Sequence, residues 1–198
     1  MSDYTVIADI GATLIGLLRE SMGDLLSADA IALLSPAELE GQDIRLTLFL
    51  YAVSENPHLK NAPAPPAPPG IRRAPPLQVD LSYLLTAHGS RLITDRTERS
   101  LEEQRILGRA MRVLYDNSLL AGSVLKGGLA GSTAQFRINL QPLSLDDLSK
   151  IWTALPNNAL KASAGYQVSP VAIDSTRSTS GKPVVERTLE YYQKGAGS

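Results

Sequence analysis

The stretch Leu77-Gln-Val-Asp-Leu-Ser-Tyr-Leu-Leu-Thr-Ala-His-Gly89 limits the fold more than any other part of the chain. Leu77, Val79, Leu81, Tyr83 and Leu85 alternate with Gln78, Asp80, Ser82, Leu84 and Thr86, and a period of two places the first set on one face of a β-strand. Both ends of this strand are marked. A charged segment follows it. Residues 57–76 precede it and hold eight of the 13 prolines in the sequence. Proline fixes φ and has no amide donor, so this run is expected to carry neither helix nor sheet ladder. It reads as an extended, polyproline-II-like loop joining two strands, with Arg72 and Arg73 available to a partner. The segment Pro65-Pro66-Ala67-Pro68 also comes close to a ligand for an aromatic-lined groove, but a plain hairpin loop is the preferred reading.

One apolar strand face needs a cover, and three amphipathic segments can supply it. Val6, Ile7, Ile10, Leu14, Leu17, Leu18 and Met22 recur at three and four, predicting a helix over 3–22 in which Gly11 and Gly16 permit close packing. Ser100-Leu-Glu-Glu103 has the form of a capping box. It predicts a second helix running to about Tyr115, with Ile106, Leu107, Ala110, Met111 and Leu114 buried and Glu102, Arg105, Arg109 and Arg112 in water. Ser144-Leu-Asp-Asp147 opens a third helix with acid in its first turn. Leu145, Leu148, Ile151, Trp152 and Leu155 form its expected buried stripe, and Pro156 stops it. Three further strands are predicted over 43–53, 135–143 and 160–173. The first of these is apolar on both faces and is expected to be buried on both. Residues 27–41 read as a connection with a short helix or strand near Ile31–Leu34, and the glycine-rich 121–132 as a mobile loop. Together these make an α/β (α+β) domain over residues 1–175, with about four strands in a mixed or antiparallel sheet packed by amphipathic helices. A linker and C-terminal arm follow over 176–198.

The chemistry-bearing patterns are few. The chain has no cysteine, which excludes disulfides, thiolate metal sites and a cysteine nucleophile. Its two histidines, His58 and His88, sit at loop ends with no companion at metal-ligand spacing. Lys126-Gly-Gly-Leu-Ala-Gly-Ser132 lacks the order of a phosphate-binding loop, and neither a nucleophile elbow nor a dinucleotide fingerprint occurs. Asp146 and Asp147 are accounted for by a helix start. A formal net charge of -1 and 5% aromatic residues argue against nucleic-acid binding. No apolar run reaches the roughly 18 residues of a membrane span, and the N-terminus has no signal-peptide pattern, so synthesis in the cytoplasm is expected. No cofactor, metal or catalytic role is expected, and the remaining class is a protein that binds proteins.

Six segments in register carry a resemblance to one family. They are Tyr4-Thr-Val-Ile-Ala-Asp-Ile-Gly-Ala-Thr-Leu14; Leu48-Phe-Leu-Tyr51 with Glu55-Asn-Pro-His-Leu-Lys-Asn61; Pro75 through Gly89; Leu107-Gly-Arg-Ala-Met111; Leu140 through Trp152; and Tyr166-Gln-Val168 with Ile173-Asp-Ser175. Over residues 4–175 the chain is similar to the cap, or tail-terminator, proteins of extracellular contractile injection systems, which are phage-tail-like particles. The resemblance implies a tail-terminator-like α/β domain and a homohexameric ring. It also implies contact with the sheath and inner-tube proteins at the end distal to the baseplate. An adaptor or assembly chaperone absent from the mature particle is the alternative.

The last reading concerns the arm. The polar run Asp174–Gly181 has the composition of a linker. Beyond Pro183, Val185, Arg187, Leu189 and Tyr191 alternate with Val184, Glu186, Thr188 and Glu190. This suits an added edge strand docking on a neighbouring subunit; a short helix over the same residues is the competing reading. Arg72, Arg73, Val185, Arg187, Leu189 and Tyr191 are therefore the candidate partner-interface residues.

Overall fold

The computed structural model describes residues 3–39, 43–60, 64, 66–68, 71–155 and 159–180. In chain order they form α1 (Val6–Ser21), β1 (Ile31–Ala32), β2 (Leu46–Glu55), β3 (Ile71–Arg73), β4 (Leu77–Ala87), α2 (Arg96–Asp116), β5 (Leu119–Ala121), β6 (Gln135–Gln141), α3 (Leu145–Thr153), β7 (Ser163–Ile173) and β8 (Ser178–Ser180). The four expected strands are present as β2, β4, β6 and β7. The sheet itself has six, in the order β1-β2-β4-β7-β6-β5, so the expected count of about four is corrected. The two additions, β1 and β5, are two and three residues long, too short to show a period in sequence. The sheet is mixed: β1 pairs parallel to β2, and every other pairing in it is antiparallel.

α1 and α2 cover one face. Val6, Ile10, Leu14 and Leu18 from α1 and Ile106, Ala110 and Leu114 from α2 pack on Leu46 and Leu48 of β2, Leu81, Tyr83 and Leu85 of β4, and Phe136, Ile138, Tyr166 and Val168 of β6 and β7. Gly11 makes this approach close, since a Cβ there would lie 2.9 Å from Leu33 Cδ2. β2 and β6 are three strand spacings apart in the sheet, and Tyr51 Oη reaches along its face to donate to Gln141 Oε1 at 3.3 Å.

Several expectations change. β4 is buried on both faces from Val79 onward, because its polar set is enclosed as well as its apolar one. Asp80 accepts from Asn56 Nδ2 (2.8 Å), Ser169 Oγ (2.6 Å) and Gln167 Nε2 (3.2 Å). β2 is the reverse case: its first three residues are buried but Ala52–Glu55 are exposed, because β1 covers only Leu46 and Thr47. The glycine-rich loop is packed, not mobile. Two 3-10 turns place Leu125 and Leu129 in the core, and Lys126 N donates to Thr13 Oγ1 on α1 at 3.0 Å. The proline-rich run does hold a ladder: β3, free of proline, pairs with β8, which arises within the expected linker. α3 begins as read, with the Ser144–Asp147 capping box formed. Its stripe is covered only in part: Trp152 is buried, Leu148, Ile151 and Leu155 are half-buried, and Leu145 is 69% exposed. Pro156, expected to stop this helix, lies outside the described residues.

The second helix starts a turn earlier than expected, at N-cap Asp95, whose carboxylate accepts from Glu98 N at 2.7 Å. Ser100 lies inside the helix because its intended partner is engaged elsewhere. Glu103 Oε1 accepts from Gly89 N and Lys161 Nζ, both at 2.8 Å. Glu102, expected in water, accepts from Ser90 N at 3.0 Å and pairs with the buried Arg45 guanidinium. Arg45 Nε in turn donates to His88 O at 2.9 Å. This cluster ties the start of α2 to the end of β4.

The same cluster makes stability depend on pH. Burial pushes both glutamates up, but hydrogen bonds from Arg45 and Ser90 N to Glu102, and from Lys161 and Gly89 N to Glu103, hold them below the usual carboxylate range. Burial first, then the Lys161 and Arg45 charges, lowers His88 from 6.5 to about 4. The unfolded chain therefore takes a proton at His88 before the folded one does, and stability falls as pH drops from 6.5 towards 4. The glutamates act in the same direction below the usual carboxylate range. Urea unfolding at pH 7, 6, 5 and 4.5 is expected to show a progressive loss, on the order of 2 kcal/mol from His88 alone. His88→Gln is expected to flatten most of that slope; an unchanged slope would remove His88 from the account. Gly127 gives an independent check. Its φ is 61° and a Cβ there would meet Asp9 Oδ1, so Gly127→Ala is expected to lower the urea midpoint by about 2 kcal/mol of stability.

Candidate assembly interface

The strongest buried pair of reactive type is Thr47 Oγ1 and His88 Nε2, 3.0 Å apart. A hydroxyl against an imidazole is the beginning of a nucleophile–base pair, but Thr47 is fully buried and His88 is 5% exposed. No substrate reaches that oxygen, and the pair is a hydrogen bond of the sheet. His58 is an exposed turn residue whose N–H donates to Asn56 Oδ1 at 3.0 Å. Among the described residues no cluster of His, Asp and Glu has metal-holding geometry, and no described helix is long and apolar enough to cross a membrane.

The outward surfaces are more distinctive. β3 and β8 form a two-stranded ribbon, pairing Ile71 with Ser180, Arg72 with Thr179 and Arg73 with Ser178. All six residues are exposed, so the ribbon stands off the core. Arg72 and Arg73 lie on it, in reach of a partner. At its foot Glu55, Leu59, Lys60, Pro75, Leu77 and Ile173 line a depression of 360 Å³. Val185, Arg187, Leu189 and Tyr191, the other candidate interface residues, lie outside the described residues.

Two surfaces escaped the sequence reading. One is an apolar groove of 370 Å³ between α2 and β6, lined by Met111, Leu114, Tyr115, Ile138, Leu140 and Tyr166. Tyr115 is 81% exposed and Leu140 57% exposed at its rim. Leu140 falls in phase with the buried Phe136 and Ile138, so periodicity reads it as interior; Tyr115 lies on the side of α2 away from Ile106 and Ala110. The other is the outer edge of β2 beyond Thr47, which pairs with no described strand.

A protein-family model, the Pvc16 N-terminal domain, matches residues 9–187. The chain belongs to the Pvc16 N-terminal domain family. Two solved structures share the fold of this family member. The first is the PVC sheath/tube terminator of an extracellular contractile injection system in its extended state. It aligns with a TM-score of 0.62 and 19% identity, over 100% of this chain and 67% of that one. The second is the tube-terminating cap of the anti-feeding prophage, with a TM-score of 0.58 and 16% identity, over 93% of this chain and 61% of that one. The chain thus spans about two thirds of the first and less of the second. Comparison with curated proteins returns no match. At such identities the likeness concerns fold, and the alignment over the whole chain takes in the ribbon as well as the sheet.

The exposed ribbon is expected to be dispensable for folding. Replacing Arg72 and Arg73 together with Ser is expected to leave the urea midpoint within about 0.5 kcal/mol of stability. A large loss of stability in this variant would mean the arginines belong to the fold and not to a contact surface.

Proposed function

We propose that this chain is a structural cap, or tail terminator. It ends the inner tube and contractile sheath of a phage-tail-like contractile injection system at the end distal to the baseplate. The observation that carries the proposal is the family match over residues 9–187 together with a fold shared with two terminators of such particles. The chemistry of the described residues agrees with a structural role, because its one hydroxyl–imidazole pair is sealed inside the sheet.

In this reading the chain forms a homohexameric ring. A ring requires heterologous contacts, in which one surface of a copy meets a different surface of the next and the rotation closes. The ribbon, the β2 edge and the α2–β6 groove are three dissimilar surfaces on one domain. Partners are other copies of the chain and the last sheath and tube subunits. Capping works by mass action: a covered end neither gains nor loses subunits. The protein is made in the bacterial cytoplasm and stays with the particle when it is released.

Electron microscopy of particles from a strain lacking the gene is expected to show tubes and sheaths of uncontrolled length, or unstable tails, on normally assembled baseplates. Particles of normal length and stability without the protein would overturn the proposal. Wild-type particles are expected to show six-fold density at the distal end that fits this fold. Its absence there, with the protein still needed for assembly, would favour a chaperone. Light scattering of the assembled form is expected near six times the 21.2 kDa chain mass.

A further inference from the structure

The open edge of β2 is a surface that calls for a cover. Beyond Thr47 its outer side pairs with no described strand, and Ala52–Glu55 are exposed. The six residues Leu48-Phe-Leu-Tyr-Ala-Val53 have no charge, proline or glycine. Soluble proteins protect such edges with lysine, proline or a covering element, because an uncharged strand of this kind pairs with other chains. β2 carries one such device, a bulge between Leu50 and Ala52, and no charge until Glu55 at its end.

The direction in which the described chain ends says what covers it. β3 leads through Ala74–Pro76 into β4, so its Arg73 end is the foot of the ribbon, where Ala74 N donates to Arg177 O at 3.0 Å. Ser178 pairs with Arg73 and Ser180 with Ile71. β8 therefore runs away from its own sheet, and Ser180 sits at the far end of the ribbon. Only residues 181–183 separate it from the alternating segment 184–192, and the four steps from 180 to 184 span about 14 Å at most. Returning to its own β2 edge would require retracing the ribbon, about 10 Å. It would also have to cross the three-residue foot and pass β4 and β2 at about 5 Å each. The spacer is too short for that path. A neighbouring copy lying ahead of the ribbon has no such limit.

We infer that residues 184–192 of one copy add as a strand to the open β2 edge of the next copy. Main-chain hydrogen bonds supply the attraction, and alternate side chains, Val185, Leu189 and Tyr191 among them, supply register. The inference rests on the ring reading above. In it every copy gives one arm and receives one, as a closed heterologous ring requires.

The absence of cysteine makes the test clean. Full-length chains carrying Val53→Cys are mixed with chains carrying one of Val185→Cys, Leu189→Cys or Tyr191→Cys, then mildly oxidised. Light scattering before oxidation reports whether the oligomer is present. If the free protein is monomeric, the two variants are co-expressed and particles are used instead. The expected result is a reducible mixed dimer, formed at least tenfold more in one of the mixtures than with either variant alone. In the doubly substituted chain, linkage between copies is expected. An oligomer present with no mixed disulfide in any pairing overturns the arm proposal and leaves the ring standing. A disulfide within one doubly substituted chain overturns docking between copies. No oligomer either in solution or on particles overturns the ring, and this inference with it.

Discussion

Burial of β4 on both faces is the constraint from which the rest of the structure follows. A strand with one apolar and one polar face is comfortable in a half-exposed sheet. Here the polar face is closed off too, so its side chains must find partners within the protein. Asp80 collects Asn56, Ser169 and Gln167, and Thr86 meets Ser163 at 2.9 Å. These partners come from β7 and from the residue that follows β2. Satisfying β4 therefore places both of its neighbours, and the pairing with β7 fixes where β6 and β5 can lie.

The ends of β4 repeat the logic with charge. At its C-terminal end the buried Arg45 and the amides of Gly89 and Ser90 are met by two glutamates from α2, with Lys161 as the fourth member. Glu103 is thereby withdrawn from helix capping, and the helix takes Asp95 as its cap. A local rule yields here to a tertiary one: four long-range contacts outweigh a capping box worth about 1 kcal/mol. At the other end, β4 and β7 run on through short connections into the exposed ribbon.

A core held in this way leaves the edges of the sheet to do something else. β1 and β5, two and three residues long, cover only part of β2 and β6. The ribbon carries its residues away from the core. The described surface therefore carries open strand edges and an apolar groove, while the Thr47–His88 pair lies buried in the sheet.

Periodicity by itself determined the four long strands and the apolar faces of α1 and α2, because each pattern runs over seven or more residues and burial of one face is a local demand. The four-residue motif Ser144–Asp147 determined the capping box of α3, and the residues of six segments in register, not their period, carried the resemblance to terminators. What only the tertiary structure decided depends on partners distant in sequence. The two- and three-residue strands have no period of their own. Leu140 and Leu145 look interior by phase and are exposed because nothing described lies over them. Asp80 and Ser82 look exterior by phase and are buried, Asp80 among partners from β7 and from the residue after β2. β3 formed between prolines because its partner β8 lies more than a hundred residues later in the chain. A one-dimensional pattern states which face prefers to be covered; whether a cover arrives is settled by the contacts that bring the rest of the chain to it.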